Sequence, residues 1–281
     1  MKHKLISLLL TIIVCYFTKV NAQIGAEAQG GKATMWAAIG IDQALSEKWT
    51  SVTDYGYGRH SDPDNTAFAK RLGLNVLSQD FIYKANTHWS YFFSIGYWRR
   101  NFYADDAPYD AQTTPYTFRN EIRPYQKIIY SQQVQAIKIS HALRTDERFY
   151  YNQHLNDRWP TPFEFRLRYM ETWKIPLSQN KKNWFIAVDE VLTAVDYNSA
   201  AKKAATGKQW SPYQFTENRF SAYYRRSLLK QKIDLDFGIM HQYWRDRPGV
   251  NTFNVSYNLM FDIIFYDPFS RKAKESAPAV N

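Results

Sequence analysis

Cysteine is nearly missing from this chain: one residue in 281, Cys15, within the opening stretch MKHKLISLLLTIIVCYFTKVNAQ. That stretch has a basic start (Lys2, Lys4), an apolar run beginning at Leu5, and then Val20-Asn21-Ala22, the three parts of a secretory signal. Residues 1–22 are therefore expected to form a signal peptide cleaved after Ala22, which removes the only thiol. A disulfide framework, a thiol nucleophile and thiolate metal ligands are thereby excluded from the remainder. Lipoprotein processing at Cys15 is disfavoured, because Ile12 and Val14 stand where small residues are needed.

Other absences narrow the classes further. No later segment approaches the ~20 consecutive apolar residues of a spanning helix. No Pro/Gly/Ser-rich linker divides the chain, so residues 23–268 read as one domain, with 269–281 as a C-terminal tail. The Gly-x-Ser-x-Gly elbow, the His-Glu-x-x-His zinc helix and the phosphate-cradling glycine loop are all missing, and no histidines pair at ligand spacing. No metal or cofactor is expected. Net charge is +10, or +7 without Lys2, Lys4 and Lys19, a balance compatible with anionic partners or with a solvated basic surface. Nucleic acid is not expected as a partner of an exported chain.

What is present is alternation. In 251–266, Phe253, Val255, Tyr257, Leu259, Phe261, Ile263 and Phe265 share one face, and Asn254, Ser256, Asn258 and Asp262 the other. Segments 232–244 and 87–99 repeat the pattern, and so does 162–173, PFEFRLRYMETW. Weaker examples lie at 33–42, 46–59, 67–80, 117–131, 134–151, 183–194 and 215–229, which makes eleven strands by period 2. Short turns near 45–46, 85–86, 132–133, 180–181 and 230–231 alternate with longer connections, as in outer-membrane barrels, where short turns face the periplasm.

That rule leaves 33–42 descending, with the N-terminus on the wrong side. The expectation is therefore an all-β, antiparallel transmembrane β-barrel of about twelve strands, with a weak extra strand before Lys32, or of ten with the first segment outside the barrel. Strands longer than the usual five or six residues and an apolar face rich in Tyr and Trp favour the membrane. A soluble periplasmic binding barrel is the competing architecture, since alternation alone does not say which face meets lipid.

Several segments also resemble a family. FTENRFSAYYRRSLLKQKIDLDFGIMHQYW (215–244), IRPYQKIIY (122–130), HALRTDERF (141–149) and EFRLRY (164–169) are similar to the strand motifs of the bacterial family catalogued as domain of unknown function 2490. Two elements depart from its pattern: Glu217-Asn218-Arg219 replaces a Gln-Asn-Arg triplet, and the final element reads Met240-His241-Gln242-Tyr243. The resemblance covers most of the chain after the leader. It implies an outer-membrane-type barrel from a Gram-negative bacterium of the Bacteroidota and supplies no activity.

On the barrel reading, parity directs a charged set into the lumen: Lys138, Arg144, Asp146, Arg148, Glu164, Arg166, Arg168, Asn218, Arg219, Asp234 and Asp236. Antiparallel neighbours on one face sit ~5 Å apart, close enough for a ladder of arginine–carboxylate pairs. Such a ladder is either a structural plug or the lining of a narrow pore for small anionic solutes. A lipid-modifying enzyme is the alternative, with Ser140 and His141 as residues to inspect, although strand neighbours point to opposite faces. His141 falls on the lipid side, which calls for a partner there or a bulge. Ser61 to Asn65 and Asp105-Asp106 offer Ca²⁺-type oxygens but read equally as turns. Lys202, Lys203 and Lys208 mark a basic loop. Outer-membrane lipid and lipopolysaccharide are the expected partners, and the oligomeric state is left open.

Overall fold

Period-2 alternation becomes a single closed sheet. The structure is a computed structural model, and it describes residues 33–67, 70–103, 116–198, 209–245 and 253–269. Eleven strands follow one another in sequence and in space: β1 (Thr34–Ala44), β2 (Trp49–His60), β3 (Arg71–Lys84), β4 (Trp89–Tyr103), β5 (Tyr116–Val134), β6 (Ile137–Tyr151), β7 (Arg158–Pro176), β8 (Asn183–Tyr197), β9 (Gln214–Leu228), β10 (Ile233–Arg245) and β11 (Phe253–Tyr266). Each pairs with its neighbours, and β1 closes on β11. Closure removes every sheet edge, so each strand finds its backbone partners within the barrel.

The strand count corrects the expectation of twelve or ten. All eleven segments found by alternation lie in the wall, and the odd number is accommodated because β1 pairs with β11 in parallel, from Thr34↔Asn258 to Asp42↔Tyr266. A parallel ladder saturates backbone N–H and C=O groups as an antiparallel one does, at slightly lower stability per residue. Neither an extra strand nor a segment outside the wall is needed.

The tight ends of the hairpins show local side-chain chemistry. Ser46 Oγ accepts from the Lys48 and Trp49 amides at 3.3 and 3.1 Å. Asn86 Oδ1 does the same for His88 and Trp89 at 2.8 and 2.9 Å. These two turns, with those at 135–136, 177–182 and 229–232, lie at one end of the barrel. Connections at the other end are mostly longer; of these, 152–157 is described whole and 61–70 and 198–213 in part.

The two faces of the wall differ sharply. Phe93, Ile95, Phe237 and Ile239 are 52–59% exposed on the outside. Asp146, Arg148, Arg168 and Glu217 point inward and are at most 4% exposed. The interior is therefore polar and the exterior apolar, the reverse of a soluble core. Outward aromatic pairs gather toward both ends. Trp49–Tyr83 and Trp89–Tyr130 lie near the short turns, with centroids 5.0 and 5.1 Å apart. Phe149–Phe163 and Tyr243–Phe253 lie near the long connections, at 5.1 and 4.7 Å.

The closure is testable by cross-linking. With Cys15→Ser removing the native thiol, Ala37→Cys and Phe261→Cys, which are Cα partners across the seam, should form a disulfide on mild oxidation. A ten- or twelve-stranded barrel separates these positions and yields no cross-link.

Candidate functional site: the charged lumen

The inward face of β5 to β9 carries one continuous chain of opposite charges. Starting on β5, Arg123 Nε donates to Glu121 at 2.5 Å. Glu121 also receives the fork of Arg148, Nε at 2.7 Å and Nη2 at 2.8 Å. Arg148 reaches Glu164, which in turn accepts from Arg166. Arg166 Nη1 lies 3.7 Å from Glu217, the acceptor of Arg219 and Gln242. Arg219 is 3.5 Å from Glu190, and Arg168 is 3.2 Å from the same carboxylate. Arg168 donates to Asp146, whose other oxygen takes Nε and Nη2 of Arg144 at 2.8 and 2.6 Å. Six arginines and five carboxylates thus alternate without a break.

Register explains why the acids sit where they do. Arg144 and Arg168 are direct Cα partners on β6 and β7, an arrangement of like charges that destabilises a sheet. Asp146, two residues along on the same face, accepts from both. Local spacing does similar work. Glu121 and Arg123, Glu164 and Arg166, and Glu217 and Arg219 are each two apart, so period 2 points both members of each pair into the lumen. Aromatic faces hold the ends of the chain: Arg144 lies 3.6 Å over the Tyr125 ring and Arg123 3.8 Å over Trp98. The Trp98 ring occupies the space beside Gly96, where an added Cβ would fall 2.1 Å from it.

Two smaller clusters flank the chain. On β9 and β10, the Arg225 fork bonds Asp236 with both contacts at 2.6 Å and lies 3.0 Å from Asp234. Asp234 also accepts from Ser227 at 2.6 Å and Tyr266 at 2.9 Å. At the long-connection end, Asp62 is buried beneath Lys70 and Arg71, which both pair with it. Burial favours its neutral form, but the hydrogen bonds and charges of Lys70 and Arg71 prevail and hold its carboxyl below the usual range. Asp62 is therefore already neutralised, and Asn65 is bonded to Asp64 at 2.7 Å, as turn chemistry requires. Asp105-Asp106 and Lys202, Lys203 and Lys208 lie outside the described residues.

The residues singled out from sequence divide as follows. Arg144, Asp146, Arg148, Glu164, Arg166, Arg168 and Arg219 belong to the continuous chain. Asp234 and Asp236 form the Arg225 cluster, and Lys138 stands apart at the short-turn mouth. Asn218 requires a correction. Glu217 and Arg219 take the inward positions on either side, so Asn218 points outward, where it donates to Asp189 at 2.7 Å and to the Glu190 carbonyl at 3.1 Å. Glu121, Arg123, Glu190, Glu217 and Arg225 were missed. The repeated Glu-x-Arg spacing on three strands is the signal that exposes three of them, Glu121, Arg123 and Glu217.

Ser140 and His141 face opposite sides. Ser140 bonds Ser131 at 2.9 Å within the barrel. His141 Nδ1 meets the Tyr169 hydroxyl at 2.9 Å outside, with Glu171 3.9 Å away. Pairing of β6 with both neighbours is unbroken at His141, so no bulge turns it inward. Among the described residues, no group of three or more potential ligands could hold a metal ion.

A closed eleven-stranded barrel with an apolar exterior and an ion-paired lumen defines the structural class. The chain belongs to the family described as "Protein of unknown function (DUF2490)", which matches residues 33–254. No curated protein matches it.

The lumen makes two predictions. Arg148→Met leaves Glu121 and Glu164 buried without their shared cation and should cost about 3–5 kcal/mol, read as a lower urea midpoint, whereas Asn218→Ala should cost under ~1 kcal/mol. For Asp62 the folded pKa is depressed, so its stabilisation is full above the unfolded value of about 3.9 and is lost as pH falls below it. The urea-midpoint gap between the native chain and Asp62→Asn should be constant from pH 7 to 5 and close below about pH 4.

Proposed function

We propose that the protein is an outer-membrane β-barrel whose ion-paired lumen acts as a rigid filling, giving a structural barrel without a wide pore. The single observation that carries this reading is the inversion of polarity across the wall. A continuous outward surface of Phe, Ile, Leu and Tyr far exceeds the few hundred Å² of apolar patch that soluble monomers tolerate. Lipid satisfies it without cost. Aromatic pairs toward both ends match the interfacial girdles of such barrels, and the signal-like opening supplies a route of export. A soluble periplasmic barrel would place the same side chains inside.

The filling follows from burial. Arg148, Glu121 and Asp146 have side-chain exposures of 4, 5 and 0%, values at odds with the wall of a water-filled channel. A narrow passage for small anionic solutes is the second reading, favoured by the lysines at the short-turn mouth, and it requires the ion pairs to part. The lipid-modifying enzyme loses its candidate pair, because Ser140 and His141 are separated by the wall.

Fractionation and conductance test the two halves of the proposal. The protein should remain in the outer-membrane fraction after carbonate washing and migrate heat-modifiably on gels. Free recovery in the periplasmic extract would overturn the membrane reading. In planar bilayers the native barrel should be silent, and Arg148→Met should show flickering conductance. Steady native conductance with anion preference would replace the filled lumen with a pore.

A further inference from the structure

The short-turn mouth holds a cavity of about 550 Å³, a size typical of small-molecule sites. Five lysines line it: Lys138 on β6, Lys174 on β7, Lys181 in the β7–β8 turn, and Lys230 and Lys232 in the β9–β10 turn. None of the five has an ion pair among the described residues. Arg225, also on the rim, is occupied by Asp234 and Asp236. Asp267, the other carboxylate of the lining, accepts from the Ala44 amide at 2.7 Å.

The register makes the imbalance specific. Lys138 and Lys174 are direct Cα partners on β6 and β7, just as Arg144 and Arg168 are, six residues away on each strand. For the arginines, Asp146 sits between the two charges. For the lysines, no carboxylate stands between. The barrel places a carboxylate in contact with both members of one facing pair and forms no ion pair with the other among the described residues, at the edge of a concave space that concentrates the field of five ammonium groups.

We propose that this cavity is a binding site for a phosphate-bearing polyanion, held by Lys138 and Lys174 from the wall and by Lys181, Lys230 and Lys232 from the turns. Lysine suits that ligand. Its ammonium is a compact charge with three rotatable donors and binds phosphate without demanding the planar fork geometry that arginine uses on carboxylates. The division of labour matches the molecule, with arginines pairing carboxylates in the lumen and lysines left unpaired at the mouth. Trp184 and Ile186 form an apolar side of the cavity, and the Trp184 indole N–H is bonded to the Lys181 carbonyl at 2.8 Å, which fixes that turn against the wall. A soluble phosphorylated compound and a lipid headgroup share the required chemistry. The site does not depend on whether the lumen conducts or on where the barrel resides.

The test is isothermal titration of the purified full chain in non-ionic detergent with sodium tripolyphosphate. Saturable one-to-one binding that weakens with added sodium chloride is expected. Lys138→Gln with Lys174→Gln should weaken it about tenfold or more, the loss of charge-assisted hydrogen bonds. Lys48→Gln, an exposed lysine of the β1–β2 turn outside the cavity, should change nothing. If the wall double variant fails to fold, Lys181→Gln with Lys230→Gln, placed in turns, carries the same expectation. Absence of saturable binding by the native chain overturns the proposal, and so does equal weakening by Lys48→Gln, which marks diffuse attraction. Competition with short-chain phosphatidic acid then assigns the source: displacement of tripolyphosphate identifies a lipid headgroup, and its retention a soluble phosphate. Failure of this titration leaves the fractionation result of the membrane reading untouched.

Discussion

Buried arginine cannot be neutralised and cannot be left alone. Its guanidinium stays protonated at any ordinary pH, and a charge removed from water without a partner costs several kcal/mol. Every other feature of the interior follows from this constraint. Five carboxylates are spaced so that each lies between two guanidinium groups, and two arginines lean on aromatic faces at the ends of the chain. Because the members come from five consecutive strands, the network ties the register of β5 through β9 together alongside the backbone ladder. A slip by one residue would carry the whole charged set to the apolar exterior.

The network also divides the lumen. Arginines dominate the inner face of β5 to β9, while Asp42, Asp54, Asp80 and Asp262 sit on the inner faces of β1, β2, β3 and β11. Asp80 is reached by the Tyr125 hydroxyl over Ser94 of the intervening strand β4. The paired charges of β5 to β9 thus face a wall whose inner carboxylates belong to β1, β2, β3 and β11.

Much of the fold was legible in the letters because period-2 alternation is a direct imprint of a wall with two different sides. The alternation over 162–173 marks the middle of β7, which runs further at both ends (Arg158–Pro176), and that over 251–266 matches β11 (Phe253–Tyr266) to within two residues. The strand number was misjudged for a physical reason. Turn lengths order the hairpins but say nothing about how the first and last strands meet, and a parallel closure satisfies the backbone as an antiparallel one does. Asn218 was placed with its charged neighbours by motif, although adjacent strand residues cannot share a face. Which acid serves which arginine was beyond reach, since the Arg168–Asp146 contact is diagonal and the Arg166–Glu217 contact spans β8, so both depend on side-chain reach as well as spacing. The Lys138–Lys174 juxtaposition likewise needs the register of two strands to become visible.

The parallel seam between β1 and β11 has a topological corollary. In a barrel with an even number of strands, the first strand begins where the last one ends, and a short linker can join them to make a permuted chain. Here Thr34 and Tyr266 lie at opposite mouths. A linker joining them must travel the height of the wall, roughly 35 Å for eleven extended residues, either through a lumen already occupied by ion pairs or along the apolar outer surface. The order in which the strands are threaded is thus built into the closure itself.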